Sequence, residues 1–465
     1  MDTSLASTDA SRSALLTDYY QLTMLQACEA ANMRGMASFE LFFRKLPRAR
    51  SFVMTAGLEP ALEWLEQVRF QPSELDWLAA RGCLRTEFVE RLRDWRFSGS
   101  VDAVREGTIV FPGEPVLRVT APIEQAQFVE SRLLNIIHAH SVMASKAARC
   151  VLAARGSALV ESGLRRAHGA EAAMAASRAS AIAGFEASAN VLSGMRDGLS
   201  LAATMERSYV LAHAAETLAF IDFGRANPDD VVLLIDTWNT EQGAYRAVAA
   251  AEELAREGIS VKGVRIDSGD LDGLSRKVRH ILDAAGLRTV RILVSGNLEE
   301  GRIAALKASG APIDVFCVGT ALSTSSDAPT LDFSYRLVEY DGRPFPKRTP
   351  GKDQAQRVLE PVMREGWRIR PAPSMASLRE HAAAELAALP AELRARDRPA
   401  ATPPKIPARL RHLSSGTPPR SPSVSAAPTS ALPKRSATAR QASSDGGRST
   451  SIRDTPARSS SRSPA

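Results

Sequence analysis

The stretch from 231 to 320 constrains this chain most, because apolar runs and helical runs alternate there in strict turn. VVLLID (231–236) has the length and bulk of a buried strand. EQGAYRAVAAAEELARE (241–257) repeats apolar positions at helical spacing, and Gly258 stops it. VKGVRID (261–267) reads as a second strand, and a helix follows from Asp270 to Ala285, closed by Gly286. VRILVSG (290–296) is a third strand, LEEGRIAALKA a helix stopped by Gly310, and IDVFCVGT (313–320) a fourth strand. Strands joined through helices by short connections form a parallel sheet with right-handed crossovers.

The flanking regions read differently. Residues 126–155 and 170–194 look helical, while 97–121 carries β-branched residues, Pro and Gly in the manner of short antiparallel strands. Residues 35–70 read as one strand, SFELFFR, followed by a helix. The expectation is an α/β protein: an irregular βα-barrel domain packed with an N-terminal α/β domain, plus a disordered basic C-terminal tail. The boundaries read as a flexible 1–14, an N-terminal domain over 15–125 completed by 335–395, a barrel over 126–334 and a tail over 397–465. A length of 465 residues fits two or three domains.

Charge narrows the function classes once it is divided. Residues 397–465 hold 12 Lys+Arg against 3 Asp+Glu, which leaves 47 against 49 in the rest of the chain. The body therefore lacks the basic footprint of a nucleic-acid binder. The tail has no Phe, Tyr or Trp, so any nucleic-acid contact through it would be weak and unstacked. No run of about 18 apolar residues occurs, so no spanning helix is expected. The polar start, MDTSLASTDASRS, does not read as a secretory signal. Cys28, Cys83, Cys150 and Cys317 are scattered, which points to reduced structural thiols in a cytoplasmic protein without zinc.

In parallel βα folds, ligands bind at the carboxyl ends of strands. The ends in this chain are Asp236-Thr237, Asp267-Ser268-Gly269-Asp270, Ser295-Gly296-Asn297 and Gly319-Thr320. The last two suit a phosphate cradle, though Gly and Asn also serve plain tight turns. Arg265 and Asp267 stand two apart on one strand and so share a face, as a ligand-facing pair or as a structural ion pair. Arg165-Arg166 offers two guanidiniums for carboxylate or phosphate, or the exposed start of a helix.

These residues carry a resemblance. TDYYQLTM (17–24), FELFFRKLP (39–47), SKAAR (145–149), GLRRAHG (163–169), GFEASAN (184–190), LIDTWNT (234–240), VRIDSGDL (264–271) and VGTALSTSSDAP (318–329) are similar, in this order, to the nicotinate phosphoribosyltransferase family. The resemblance runs from about Leu15 to about Arg394 and leaves out the tail. It implies formation of nicotinate mononucleotide and pyrophosphate from nicotinate and phosphoribosyl pyrophosphate, with Mg²⁺, in an ATP-dependent, ligase-like homodimer. It also assigns roles: Tyr20 against the pyridine ring, Arg165 or else Arg166 on the substrate, and Arg265 and Asp267 lining the centre. Asp236, Ser268 and Asp270 fall near the substrate, and Ser208, Ser295, Gly296, Asn297, Gly319 and Thr320 fall near phosphate. No metal ligand is assigned.

Several positions depart from the family pattern. The family's TMAHS block carries a His that ATP phosphorylates, and this chain reads Thr204-Met205-Glu206-Arg207-Ser208. Arg207 cannot act as an imidazole nucleophile, so ATP coupling through it is expected to be absent. Ser162, Ala187 and Ala189 differ too, and DQAQRVLEPV follows Gly351-Lys352 in place of the family's loop. Two alternatives stay open beside the active transferase: a catalytically impaired or regulatory relative that binds nucleotide, and a transferase specific for nicotinamide.

Overall fold

The computed structural model describes residues 12–345 and 359–394. Most of the expected flexible N-terminus, the loop after Gly351-Lys352 up to residue 358, and the expected basic tail lie outside the described residues.

The strands, in chain order, are β1 (Met36–Phe43), β2 (Val53–Met54), β3 (Ser100–Ala103), β4 (Ile109–Val110), β5 (Pro115–Pro122), β6 (Ala158–Glu161), β7 (Ala187–Ser188), β8 (Val231–Leu234), β9 (Val261–Ile266), β10 (Arg291–Val294), β11 (Val315–Val318), β12 (Phe333–Tyr340), β13 (Arg343–Pro344), β14 (Glu360–Arg364) and β15 (Trp367–Arg368). They form three sheets. The first is seven-stranded and antiparallel, in the order β13-β12-β1-β5-β3-β14-β15, and so draws on both ends of the chain. Its core is aromatic: Phe39 stacks on Tyr335 at 4.7 Å, and Phe43 meets Phe333 edge-on. The pair β2-β4 stands apart.

The second large sheet is parallel, in the order β7-β6-β11-β10-β9-β8. It curls into a half-barrel, with β7 and β8 left as its edges. The expected barrel is thus open, because β7 and β8 each have a strand neighbour on one side alone and do not pair with each other. Val231, Leu233, Val264, Ile266, Ile292, Val294, Phe316 and Val318 are buried, as a sheet covered on both faces requires. The expected helix over 170–194 is two helices, Ala170–Ala183 and Val191–Asp197, parted by β7. Gly184, at φ +123, ends the first.

Helices set the sheet's shape by close approach. The helix Thr240–Arg256 starts on Asn239, whose Oδ1 accepts from the Gln242 N–H at 2.9 Å. Its Gly243 lies so near β8 that a Cβ there would stand 1.9 Å from the Ile235 carbonyl oxygen. Between the two sheets runs the long helix Glu130–Ala154, rich in small residues. Its Ser141 and Ser145 hydroxyls accept from the Ala56 and Met54 N–H groups at 3.1 and 3.0 Å, which satisfies buried backbone beside β2.

Candidate active site

Register builds the site. Leu234 pairs with Arg265, Arg265 with Leu293, and Leu293 with Val315. Side chains two residues further on share the face of these four, so Asp236, Asp267, Ser295 and Cys317 form the next layer, at the strands' carboxyl ends.

Hydrogen bonds lock this layer together. Asp236 Oδ2 accepts from Ser268 Oγ at 2.6 Å, from Arg207 Nη2 at 2.8 Å and from the Asp267 N–H at 3.0 Å. Its other oxygen, Oδ1, is buried with no hydrogen-bond partner, on a side chain 2% exposed. Asp267 Oδ1 accepts from Arg265 Nη2 at 2.8 Å and from Ser295 Oγ. Arg265 Nε donates in turn to Ser295 Oγ at 2.9 Å. Arg207 also reaches Asp267 Oδ2 at 3.5 Å, so one guanidinium spans both carboxylates. Burial pushes the Asp267 carboxyl up, but the bonds from Ser295 and Arg265 and the charge of Arg207 outweigh it and hold the group below the usual range. Asp267 is therefore a firm anion at neutral pH. Cys317 lies within the field of Arg265 and Asp267, and burial pushes its thiol up to about 11.

The turn after β10 needs its glycine. Gly296 sits at φ +90, and a Cβ there would stand 2.1 Å from the Asp267 carbonyl oxygen. Asn297 follows at φ 50, and Arg302 Nη1 donates to the Gly296 carbonyl at 2.9 Å. After β11, Gly319 packs on the Ser162 backbone, and Thr320 opens a helix of one turn, exposed. The family-derived residues thus separate. Arg207, Asp236, Arg265, Asp267, Ser268 and Ser295 form one bonded cluster, with Gly296 and Asn297 beside it and Gly319 at the tip of the adjacent β11. Asp270 lies at the cap of the helix Leu271–Ala284, with its carboxylate over Gly273. Arg165 is 71% exposed and paired with Glu206 at 2.7 Å, next to Arg207 in sequence. Arg166 and Ser208 are exposed. Tyr20, 47% exposed on the helix Tyr19–Ala30, makes no side-chain hydrogen bond among the described residues.

Sequence reading missed two supports of this site. Buried Glu161 ends β6, and its Oε2 accepts from Ser188 Oγ at 2.6 Å and Ser177 Oγ at 2.9 Å. Its Oε1 accepts from the Gly163 N–H, so Glu161 ties β7 to the turn that carries Arg165. The second is Arg302, whose bond to the Gly296 carbonyl no sequence motif marks.

Among the described residues, no group of three or more His, Cys, Asp or Glu side chains is arranged to hold a metal ion. Asp236 and Asp267 still fit a hard cation that arrives on phosphates, since Mg²⁺ takes one or two carboxylates in such sites, and the orphaned Oδ1 is an oxygen in need of a partner.

Comparison with known proteins identifies the family. A family model, the nicotinate phosphoribosyltransferase (NAPRTase) N-terminal domain, matches residues 15–138. The nicotinate phosphoribosyltransferase pncB2 of Mycobacterium tuberculosis (strain ATCC 25618 / H37Rv) is 43% identical over 411 residues, covering 82% of this chain and 88% of that protein. The nicotinate phosphoribosyltransferase of Bacillus subtilis (strain 168) is 38% identical over 360 residues, covering 74% and 73%. The crystal structure of human nicotinic acid phosphoribosyltransferase superposes with a TM-score of 0.74 at 27% identity, over 83% of this chain and 96% of that one. With relatives this similar over most of their length, the chain belongs to the nicotinate phosphoribosyltransferase family.

Proposed function

We propose that the chain joins nicotinate to phosphoribosyl pyrophosphate, giving nicotinate mononucleotide and pyrophosphate, in NAD biosynthesis. The observation that carries this reading is the layer of Asp236, Asp267 and Ser295 under two guanidiniums, in a chain 43% identical to a nicotinate phosphoribosyltransferase. In the reaction the C1–oxygen bond to pyrophosphate breaks, the leaving group keeps the electron pair, and the pyridine nitrogen bonds to C1. Positive charge grows on the ribose as negative charge grows on pyrophosphate.

The residues divide that work. Asp267, held ionised, stabilises the developing positive charge and orients the ribose. Asp236 is kept in place by Ser268 and the Asp267 N–H, with Oδ1 left to bond. The turn after Ser295 offers the Gly296 and Asn297 N–H groups, the Ser295 N–H being held by the Ile266 carbonyl, and the turn at Gly319 and Thr320 does the same for the second phosphate group. Arg265, Arg165 or Arg166 supplies the charge that prefers an acid over the amide. Tyr20 stacks on the pyridine ring across a homodimer contact, which accounts for its exposure in one chain. Mg²⁺, when bound with the donor, neutralises leaving-group charge beside Asp236 and Asp267. No helix among the described residues is long and apolar enough to cross a membrane, and the compartment proposed is the cytoplasm.

ATP coupling through position 207 is absent in this reading. Arg207 is a permanent cation bound to both carboxylates, and it serves as a fixed charge for phosphate. The deciding assay follows nicotinate mononucleotide formation with and without ATP, using nicotinamide as the competing acceptor. Turnover on nicotinate at the same rate without ATP, with no acid-labile phosphate retained from labelled ATP, supports the reading. Binding of nucleotide without turnover, even at high enzyme concentration, refutes it.

A further inference from the structure

A second cluster of charges lies away from the strand tips, buried between the long helix and the turns that follow β10 and β11. Lys146, on the helix Glu130–Ala154, is 1% exposed. Its ammonium meets Glu300 Oε2 at 2.5 Å and Asp327 Oδ1 at 3.0 Å. Glu300 also takes Arg149 Nε at 2.9 Å, and Asp327 takes Arg50 Nε and Nη2 at 3.1 Å each. Arg50 Nη1 donates further to the Val142 carbonyl at 2.9 Å.

The positions of the two carboxylates matter. Glu300 is three residues past Asn297, at the start of the helix Glu300–Ala308. Asp327 is seven residues past Thr320. Each follows one of the two turns proposed to hold phosphate, and each has an arginine of its own. Lys146 is the group bonded to both. Burying an ammonium this deeply is costly unless it is fully paired. Burial pushes the Lys146 ammonium down and its two carboxylates push it up, with the balance upward. Burial raises Asp327, but Arg50 and Lys146 outweigh it and bring the carboxyl down to about 2. The whole group therefore stays charged at neutral pH. A buried ion pair resists separation, because each charge parted from its partner is left uncompensated, and so it fixes a spacing.

We infer that Lys146 is a positioning residue for the sugar pyrophosphate: by gripping Glu300 and Asp327 at once, it sets the distance between the two phosphate turns. This rests on the proposed transferase activity and adds to it a residue that touches no substrate. Positioning errors of about 1 Å cost about a hundredfold in rate or affinity.

The test is Lys146→Met in the full chain. Both carboxylates keep an arginine in that variant, so the fold can persist while the bridge is cut. The expected result is a rise of tenfold or more in KM for phosphoribosyl pyrophosphate, with KM for nicotinate within twofold of the parent, and a matching loss of affinity for inorganic pyrophosphate by calorimetry. A lower melting temperature with both KM values unchanged overturns the inference, and so does an equal rise in both. If circular dichroism shows Lys146→Met unfolded, Glu300→Gln cuts the same bridge and is held to the same outcomes. If the parent protein shows no turnover, the transferase reading fails, and pyrophosphate affinity alone decides for or against the bridge.

Discussion

Two clusters in this molecule are made of the same groups and behave in opposite ways. At the strand tips, Arg207 and Arg265 face Asp236 and Asp267. Behind the turns, Arg50, Lys146 and Arg149 face Glu300 and Asp327. The tip cluster is open: Arg207 is 39% exposed, and Asp236 retains an oxygen without a partner. In the rear cluster Glu300 is paired with Lys146 and Arg149 of the long helix, Asp327 with Lys146 and Arg50, and the side chains of Lys146, Glu300 and Arg50 are nearly shut off from solvent. A site that must exchange its bonds for a substrate keeps unsatisfied atoms and water access. A site that must hold a distance buries its charges beside their partners. Arginine–carboxylate pairing alone does not separate function from support; exposure does.

Paired substitutions test that contrast directly. Asp267→Asn removes a charge that acts in the transition state, so kcat should fall by roughly 10²–10³-fold. Thermal unfolding should place its melting temperature close to the parent's. Asp327→Asn should do the reverse: breaking one partner of a buried pair costs about 3–5 kcal/mol, with kcat little changed. If Asp267→Asn unfolds the chain while Asp327→Asn silences it, the contrast is the wrong way round.

Gly296→Ala comes next in size. Its Cβ would collide with the Asp267 carbonyl at a positive φ, so the β10 turn must shift. KM for the sugar pyrophosphate should rise by about 100-fold, read by initial rates. Arg207→Gln should raise the same KM by about tenfold, the worth of one charged hydrogen bond, and leave ATP independence unchanged.

The pH response is smaller and has a definite sign. Asp327 is depressed in the folded state from 3.8 to about 2. Its stabilising contribution is complete above the unfolded value and disappears as pH falls through the folded one. Acid unfolding should therefore steepen between those two values, and the steepening should vanish in Asp327→Asn. Arg165→Ala should change stability least, by about 0.5 kcal/mol or less, because its partner Glu206 is also exposed. An effect on KM for nicotinate without an effect on melting would place that guanidinium on the substrate side of the contrast.

The parallel sheet was legible because burial on both faces forces continuous apolar runs such as VVLLID, and each helix stop carries a glycine. The pairing of Arg265 with Asp267 was legible too, since period two alone puts them on one face. β6 and β7 were not: ALVE and AS lie in polar, glycine-bearing stretches between helices, without an apolar run like VVLLID to mark them. Nor was the open edge of the half-barrel, which depends on what packs beyond those strands.

By itself, then, the sequence determined which residues stand at the strand tips and which family they match, since local periodicity and motif order survive without a third dimension. Only the tertiary structure decided that Arg207 spans two carboxylates from different strands, and that Lys146 joins the ends of two turns. Both depend on register and helix placement, and those are fixed by packing among residues far apart in the chain: Lys146 and Asp327 stand 181 positions apart, Arg50 and Asp327 277. No local pattern encodes a distance of that kind.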